Sequence, residues 1–424
     1  MKHLWLIPKL LGQVFAAFLL TLFLPISCSF AQGTWTQKPD MPFFKNHHSA
    51  VASGGKIYLF GGGVDLNSCT NLVHEYEPSN GFFKSKAPMP VDLCGAAAVE
   101  KDGKIYLFGG YTTFGGEVSD TALEYNVAGN SWKILAPMPT ARGYASAVLF
   151  PSSDQIWVIG GENAFGQAGL DVVEMYDLAT NTWIGSGNMP FGRGGLTAHF
   201  TDYFWSVFVF GGSANTNLPA EGTVWAFDVL LGWIIRDSLP TARTLHSSSQ
   251  IGDKVFLMGG MTPGESVFNS VDMFDMQNLE WASAVAPMHT ARRAFAAAAV
   301  DKKIYVFGGN NEGGVLKSVE VFDPGNLVKA SEPFAASGAA LLQNTPNPFD
   351  EETVISFSIA KSAQVDLSIF DLIGRKRLTM VNQFLSPGIY AHRLNAGELE
   401  TGFYYYQLLL DGFKPEARKM VVVK

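Results

Sequence analysis

Five cations stand at one offset past a Met-Pro dipeptide or its variant: Lys45, Arg142, Arg193, Arg243 and Arg292, with Leu93 at the same offset in the remaining case. An arginine fork donates two parallel hydrogen bonds, which suits carboxylate or phosphate. The loops expected near these cations carry Tyr111, Phe114, Tyr144, Phe165, Asn163 and Asn310. Rings beside amides and charges offer a sugar an apolar face and directional hydrogen bonds. The alternative is that each cation pairs with an acid of those loops, namely Glu162, Glu221 or Glu265, or Asp65 or Glu312. Glu162 beside Arg142 or Arg193 is also the candidate acid-base group for a sugar-modifying reaction. His47 and His48 open one inner strand, His246 holds the offset of His48 in another repeat, and His199 lies in a corresponding strand. They could converge, but no H-x-x-x-H spacing accompanies them, so neither a metal nor another cofactor is expected.

The elements that must position these groups repeat. Gly-Gly ends an apolar run at 61–62, 109–110, 160–161, 211–212, 259–260 and 308–309, spacings of 48, 51, 51, 48 and 49 residues. Downstream, in phase, come a ring in a V-x-x-[YF] strand (Tyr76, Tyr125, Tyr176, Phe227, Phe274, Phe322) and a second ring (Phe83, Trp132, Trp183, Trp233, Trp281). Met-Pro or a variant follows, and then a run of small residues leads to the next Gly-Gly. A period near 50 carrying four short strands predicts a blade of a β-propeller. No second ring follows Phe322, whereas Trp35 and Met41-Pro42 stand near the start. The N-terminal segment is therefore expected to supply the last outer strand and close six blades, since an open ring would expose strand edges.

These residues resemble the kelch repeat over about residues 33–325, with Phe83 in place of Trp and His289 in place of Pro as departures. The resemblance implies an all-β propeller whose arginines line a ligand face. Two enzyme families resemble the same architecture. Sialic-acid epimerases would use a carboxylate and arginines at the channel mouth. Galactose oxidase-like enzymes would need a copper site of Tyr, His and a crosslinked Cys, which cannot be assigned here.

Residues 325–340 are small and featureless and read as a linker. From Leu341 alternating runs broken by Gly374, Pro387-Gly388 and Asp411-Gly412 predict about seven short strands in a small Ig-like β-sandwich. Its motifs are Asn344-Thr345-Pro346-Asn347-Pro348-Phe349, Phe370-Asp371-Leu372-Ile373-Gly374-Arg375, Ser386-Pro387-Gly388-Ile389-Tyr390, Gly402-Phe403-Tyr404-Tyr405-Tyr406 and the closing Lys419-Met420-Val421-Val422-Val423-Lys424. In this order they resemble the type A C-terminal sorting domain of type IX secretion. That implies export across the outer membrane, with the secretion machinery as partner of 341–424 and release or surface tethering as the outcome.

Lys2 and Lys9, the apolar stretch Leu10–Ile26 and Ser29-Phe30-Ala31 read as a signal peptide cleaved after Ala31. No other run is long and apolar enough to span a bilayer. The exported chain is expected to keep two cysteines, Cys69 and Cys94, on one rim sector, and the oxidising compartment favours a disulfide. A net charge of −8 without a basic block argues against nucleic acid. The favoured reading is a secreted or surface-displayed binding module for a glycan or surface protein. Lys45, Arg142, Arg193, Arg243, Arg292, Tyr144, His48 and His246 are its expected contacts.

Overall fold

The computed structural model describes residues 32–423, apart from 66, 114, 151–153, 165, 186, 202–205, 215–219, 229–231, 263, 265–266, 283, 329–338, 360, 372–373 and 412. The expected signal peptide and its cleavage site lie outside the described residues, as does most of the expected linker.

Residues 34–323 form six antiparallel four-stranded sheets. They are numbered here as repeats one to six. Repeat one runs Ser49–Ser53, Lys56–Phe60, Val73–Glu77 and Phe82–Ser85 from its inner to its outer strand. The inner strands of the others are Ala97–Lys101, Ser146–Phe150, Thr197–Thr201, Ser247–Ile251 and Ala296–Val300. Small side chains dominate here because all six inner strands face a shared axis. The second strands are buried on both faces, as Ile57, Tyr58, Leu59 and Phe60 illustrate. Repeat six takes its outer strand from the other end of the chain: Thr34–Lys38 pairs with Val319–Asp323. Trp35 thereby faces Phe322, the register that Trp132 and Trp183 hold opposite Tyr125 and Tyr176.

Apolar packing runs between neighbouring sheets. One cluster joins each consecutive pair, and the cluster of Met41, Ile57, Leu59, Tyr305, Phe307 and Val319 joins repeat six to repeat one. Indole N–H groups add directed links: Trp132 donates to the Ala87 carbonyl at 2.9 Å, Trp183 to Ala136 at 2.8 Å and Trp35 to Ala286 at 2.8 Å.

A second closure was not foreseen from the sequence. The residue two positions before each inner strand donates its backbone N–H to the matching carbonyl of the preceding repeat. The cycle runs His47 to Ala294, Gly95 to His47, Tyr144 to Gly95, Gly195 to Tyr144, Leu245 to Gly195 and Ala294 to Leu245, at 2.7–3.2 Å. All six residues have positive φ, between 48° and 67°. Four of them are not glycine, so each is held against its intrinsic preference by the hydrogen bond on either side. The Gly-Gly turns pack directly beneath this ring. A Cβ on Gly61 would lie 2.1 Å from the Leu93 carbonyl oxygen, and one on Gly308 2.1 Å from that of Lys45. Only glycine fits so close an approach.

In the C-terminal region, Ala339–Leu341, Glu352–Ile359 and Gly388–Asn395 form one sheet. Lys376–Leu385, Ala363–Asp371, Gly402–Leu410 and Phe413–Val422 form another. A common core draws Ile355, Phe357 and Leu394 from the first and Val365, Leu367, Tyr406 and Met420 from the second. Most of these strands have eight to ten residues, longer than the short strands expected. The Asn344–Phe349 motif ties the region together. The Asn344 amide nitrogen donates to Thr353 Oγ1 at 2.9 Å, and Asn347 Oδ1 accepts from the Val421 amide at 2.8 Å in the final strand.

Candidate functional site

The five cations are not on an open rim. Lys45, Arg142, Arg193, Arg243 and Arg292 are each at most 2 % exposed. They point inward beneath the Gly-Gly turns. Arg243 donates to the Gly259 carbonyl at 3.0 Å, Arg292 to Gly308 at 2.7 Å, Arg193 to Gly211 at 3.3 Å, and Lys45 to Gly61. Arg142 reaches the Val158 carbonyl at 3.0 Å. Their acid partners also differ from those expected. Arg142 pairs with Glu174 at 3.1 Å, and Arg243 and Arg292 pair closely with Asp272 and Glu320, all on third strands. Among the described residues only Arg193 faces an acid of the expected loops, Glu221 at 3.9 Å. Asp65 instead accepts the amides of Asn67 and Ser68, and Glu312 that of Val267. Glu265, Phe114 and Phe165 lie outside the described residues. The expectation of a ligand-facing arginine rim is therefore corrected. A fixed offset within a repeat serves a buried bond to the turn of that repeat equally well.

A different set meets at the mouth of the channel. The residue after each Gly-Gly bridges to the residue before the positive-φ ring, giving the pairs Asn46/Gly63, Cys94/Tyr111, Gly143/Glu162, Gly194/Ser213, Thr244/Met261 and Arg293/Asn310. Tyr111 thus reaches across a repeat boundary, and its hydroxyl donates to Glu162 Oε1 at 2.6 Å. The Tyr144 hydroxyl lies 2.6 Å from His47 Nδ1, and the Tyr111 and Tyr144 rings are 5.3 Å apart. Arg293 Nε donates to Asn310 Oδ1 at 3.3 Å. These groups differ sharply in proton affinity. Burial raises the Glu162 carboxyl to about 7, against the lowering effect of the Tyr111 hydrogen bond. Burial, aided by the Arg293 charge, lowers His47 to about 3, so its ring is neutral at physiological pH. A carboxyl that titrates near 7 beside a phenol can both give and take a proton.

Beneath the mouth, His47, His48, Tyr144, Leu196, His246 and Phe295 line a cavity of about 110 Å³. A second, of about 220 Å³, continues along the axis between His48, His199, His246 and the hydroxyl-bearing Ser49, Ser146, Thr197, Ser247 and Ser248. His246 Nε2 lies 3.0 Å from Thr197 Oγ1, and His199 Nε2 lies 2.6 Å from Ser248 Oγ. A third cavity, of about 450 Å³, opens at the far ends of the inner strands around Phe200, Gln250 and Asp253. The structure places Tyr144, His48 and His246 along the axis. It gathers Glu162 with Tyr111 rather than with Arg142 or Arg193. Arg293 was missed; its signal was a second arginine directly after the repeat cation, a doubling the other repeats lack. Among the described residues no group of three or more His, Cys, Asp or Glu is placed to hold a metal ion, and no helix is long and apolar enough to cross a membrane.

Glu162 gives a test by pH. Below its ordinary value of 4.5, the carboxyl is protonated in both folded and unfolded chains. Between 4.5 and about 7 the unfolded chain loses that proton while the folded chain keeps it, so stability falls as pH rises. The slope contributed by this one group approaches about 1.4 kcal/mol per pH unit. Glu162→Gln is expected to remove that contribution, which urea unfolding of both proteins at pH 5, 6 and 7 would measure. Parallel profiles would assign the carboxyl an ordinary affinity.

Cys69 and Cys94 come together beside this mouth with their Cα atoms 5.3 Å apart, a separation a disulfide can span. Cys94 bridges to Tyr111, so the pair buttresses the Tyr111–Glu162 contact.

Residues 24–217 match the Attractin/LZTR1 beta-propeller family, and residues 242–288 and 291–326 match the kelch motif. Beta-scruin of Limulus polyphemus is 30 % identical over 200 residues, covering 44 % of this chain and 21 % of that protein. Kelch-like protein terF of Aspergillus terreus is 28 % identical over 199 residues, covering 45 % and 43 %. The leucine-zipper-like transcriptional regulator 1 homolog of Drosophila melanogaster is 28 % identical over 289 residues, covering 60 % and 27 %. The chain thus spans less than half of each of these relatives. The solved structure of YjhT superposes with a TM-score of 0.56 at 16 % identity, over 66 % of this chain and 95 % of that one, a likeness of fold alone. Kelch repeats and a β-propeller are what these matches and the sheet topology have in common, and this chain carries both.

Proposed function

We propose that this chain is an exported six-bladed kelch propeller that binds a glycan at the mouth of its central channel. The observation that carries this reading is the meeting of Tyr111–Glu162, Tyr144–His47 and Arg293–Asn310 at that mouth. Aromatic faces beside fixed donors and acceptors are what a sugar ring requires. Six consecutive four-stranded sheets, closed by Thr34–Lys38, support the blade count. In the same reading residues 1–31 are a cleaved signal peptide, Cys69 and Cys94 are disulfide-bonded, and 341–424 is an Ig-like sandwich that directs type IX secretion. Its five ordered motifs and two-sheet core support that role. The protein would be secreted or held on the outer surface.

A second reading has its own observation. The Glu162 carboxyl, held at about 7 beside the Tyr111 hydroxyl, is suited to proton transfer on a bound sugar, as an epimerase of the mutarotase type requires.

The test is a glycan array probed with the purified protein and with Glu162→Gln and Arg293→Met. Losing a hydrogen bond to a charged group is expected to weaken a true ligand by about 10- to 100-fold. Equal binding by all three proteins would remove the mouth from consideration. No glycan binding at all would point to a protein partner. A ligand found this way would then be followed by NMR for a change in anomer ratio, which a pure binder leaves untouched.

A further inference from the structure

One repeat departs from the internal pairing rule in a way that leaves a buried cation without a counter-charge among the described residues. The third-strand residues Glu174, Asp272 and Glu320 face Val158, Leu257 and Val306 in the sheet register, and each pairs with the cation of its own repeat. In repeat two the cation's position holds Leu93 and the acid's register position holds Leu123; both lie in one apolar cluster. In repeat four Trp225 holds the register position, and Arg193 is served instead by Glu221 and by Thr223, whose carbonyl oxygen is 3.0 Å away and whose Oγ1 is 3.2 Å away. In repeat one the two positions hold Lys45 and His74, the latter facing Leu59 in the same register. A base has replaced the acid opposite a buried base.

The surroundings supply no counter-charge. Lys45 is 1 % exposed, its ammonium donates to the Gly61 carbonyl, and it forms no ion pair among the described residues. The adjacent Glu75 is engaged by Lys56 at 2.6 Å, Lys86 at 3.0 Å and the Tyr58 hydroxyl at 3.2 Å. The His74 ring stacks on Phe43 with centroids 4.0 Å apart, and the Lys45 ammonium lies 5.7 Å from the same Phe43 centroid. Burial lowers Lys45 to about 7 and His74 to about 4, and Lys45 and His74 both act on His48. Several buried polar atoms nearby have no partner: both ring nitrogens of His48, Nδ1 of His74 and the side-chain amide of Asn46. His48 and His74 are more than nine-tenths buried, and Asn46 is wholly so. A cluster of orphaned polar groups, the Asn46 amide N–H and an imidazole N–H of His48 among them, around an unopposed amine is where a bound ion belongs.

We propose that repeat one binds a small monovalent anion, of the size of chloride or formate, between Lys45, His48 and His74. The anion takes the part that a chain carboxylate plays in repeats three, five and six. Where those repeats carry their counter-ion covalently, repeat one recruits it from solution.

The experiment uses the purified full chain and the double variant Lys45→Arg, His74→Glu, which rebuilds the Arg292–Glu320 arrangement within repeat one. The ³⁵Cl NMR line width is measured for both, and thermal unfolding is followed against chloride or formate at constant ionic strength, with bulky gluconate as the balancing anion. The natural chain is expected to broaden the chloride line. Its Tm is expected to rise by about 2 °C at ten times the anion's Kd. The double variant is expected to do neither. Lys45→Met, which imitates the apolar solution of repeat two, provides a second insensitive protein if the double variant does not fold. A response to formate alone would identify the ligand as a small carboxylate. The proposal is overturned if neither anion acts on the natural chain, or if the variants respond as it does.

Discussion

Replacing Arg292 by alanine is expected to destabilise the fold by about 3–5 kcal/mol, because the variant leaves a buried carboxylate without its cation. Glu320 is fully buried and does three jobs. It pairs with Arg292, and it accepts the backbone amides of His289 at 2.8 Å and Thr290 at 3.2 Å. Arg292 in turn holds the carbonyls of Gly308 and Ser318, which frame the Gly-Gly turn. Either partner removed alone leaves the other's charge in a medium that solvates it poorly. The double variant Arg292→Met, Glu320→Gln should therefore lose less than the sum of the two singles, with a coupling of up to about 3 kcal/mol. Urea unfolding of the four proteins measures this. Additive losses would mean the two side chains act separately. A loss below about 0.5 kcal/mol for Arg292→Ala would return this arginine to a surface role.

That prediction inverts what the arginine pattern implied at first, and the reason separates what the sequence could show from what it could not. Gly-Gly, the paired rings and Met-Pro are legible because each answers to a contact inside its own repeat or with the next, so each recurs in phase. Trp35 revealed its partner for the same reason: it was a fourth-strand ring without a third strand, and Phe322 was the converse. Periodicity gives a residue's position in the repeat but not the direction of its side chain. The arginines therefore read as ligand contacts or as partners of the loop acids, and nothing in the pattern pointed to the space under a turn. The mouth was less legible still. Tyr144 and His47 are 97 residues apart and occupy different repeats, and only ring closure brings them to 2.6 Å. The rise in the Glu162 pKa comes from burial, which no local pattern encodes. The irregular positions proved the more informative ones. Leu93, His74 and the doubled Arg292-Arg293 each depart from the repeat, and each marks a place where the structure does something different.

Trp35→Ala is expected to cost about 3–5 kcal/mol, the usual range for a buried tryptophan, and more than the same change at Trp281. Both hold the same place in the repeat, so the contrast isolates ring closure. Trp35 is buried against Phe322 with centroids 4.9 Å apart, and its indole donates to Ala286. Trp281 stands on a two-residue strand, and its indole nitrogen is buried without a partner. Losing Trp35 also weakens the strand that covers the edge of Val319–Asp323, which is paired over five residues. Deleting residues 32–42 should go further. It removes that strand together with the bonds of Gln32 to Ala284 and of Met41 to Lys317 across the closure. The edge so exposed carries Val319, Val321 and Phe322, and an uncovered apolar edge pairs with other chains. The deletion variant is therefore expected to elute from a sizing column as concentration-dependent oligomers, with fast amide exchange at 319–323. A monomeric deletion variant with unchanged protection there would show that the positive-φ cycle of hydrogen bonds closes the ring unaided.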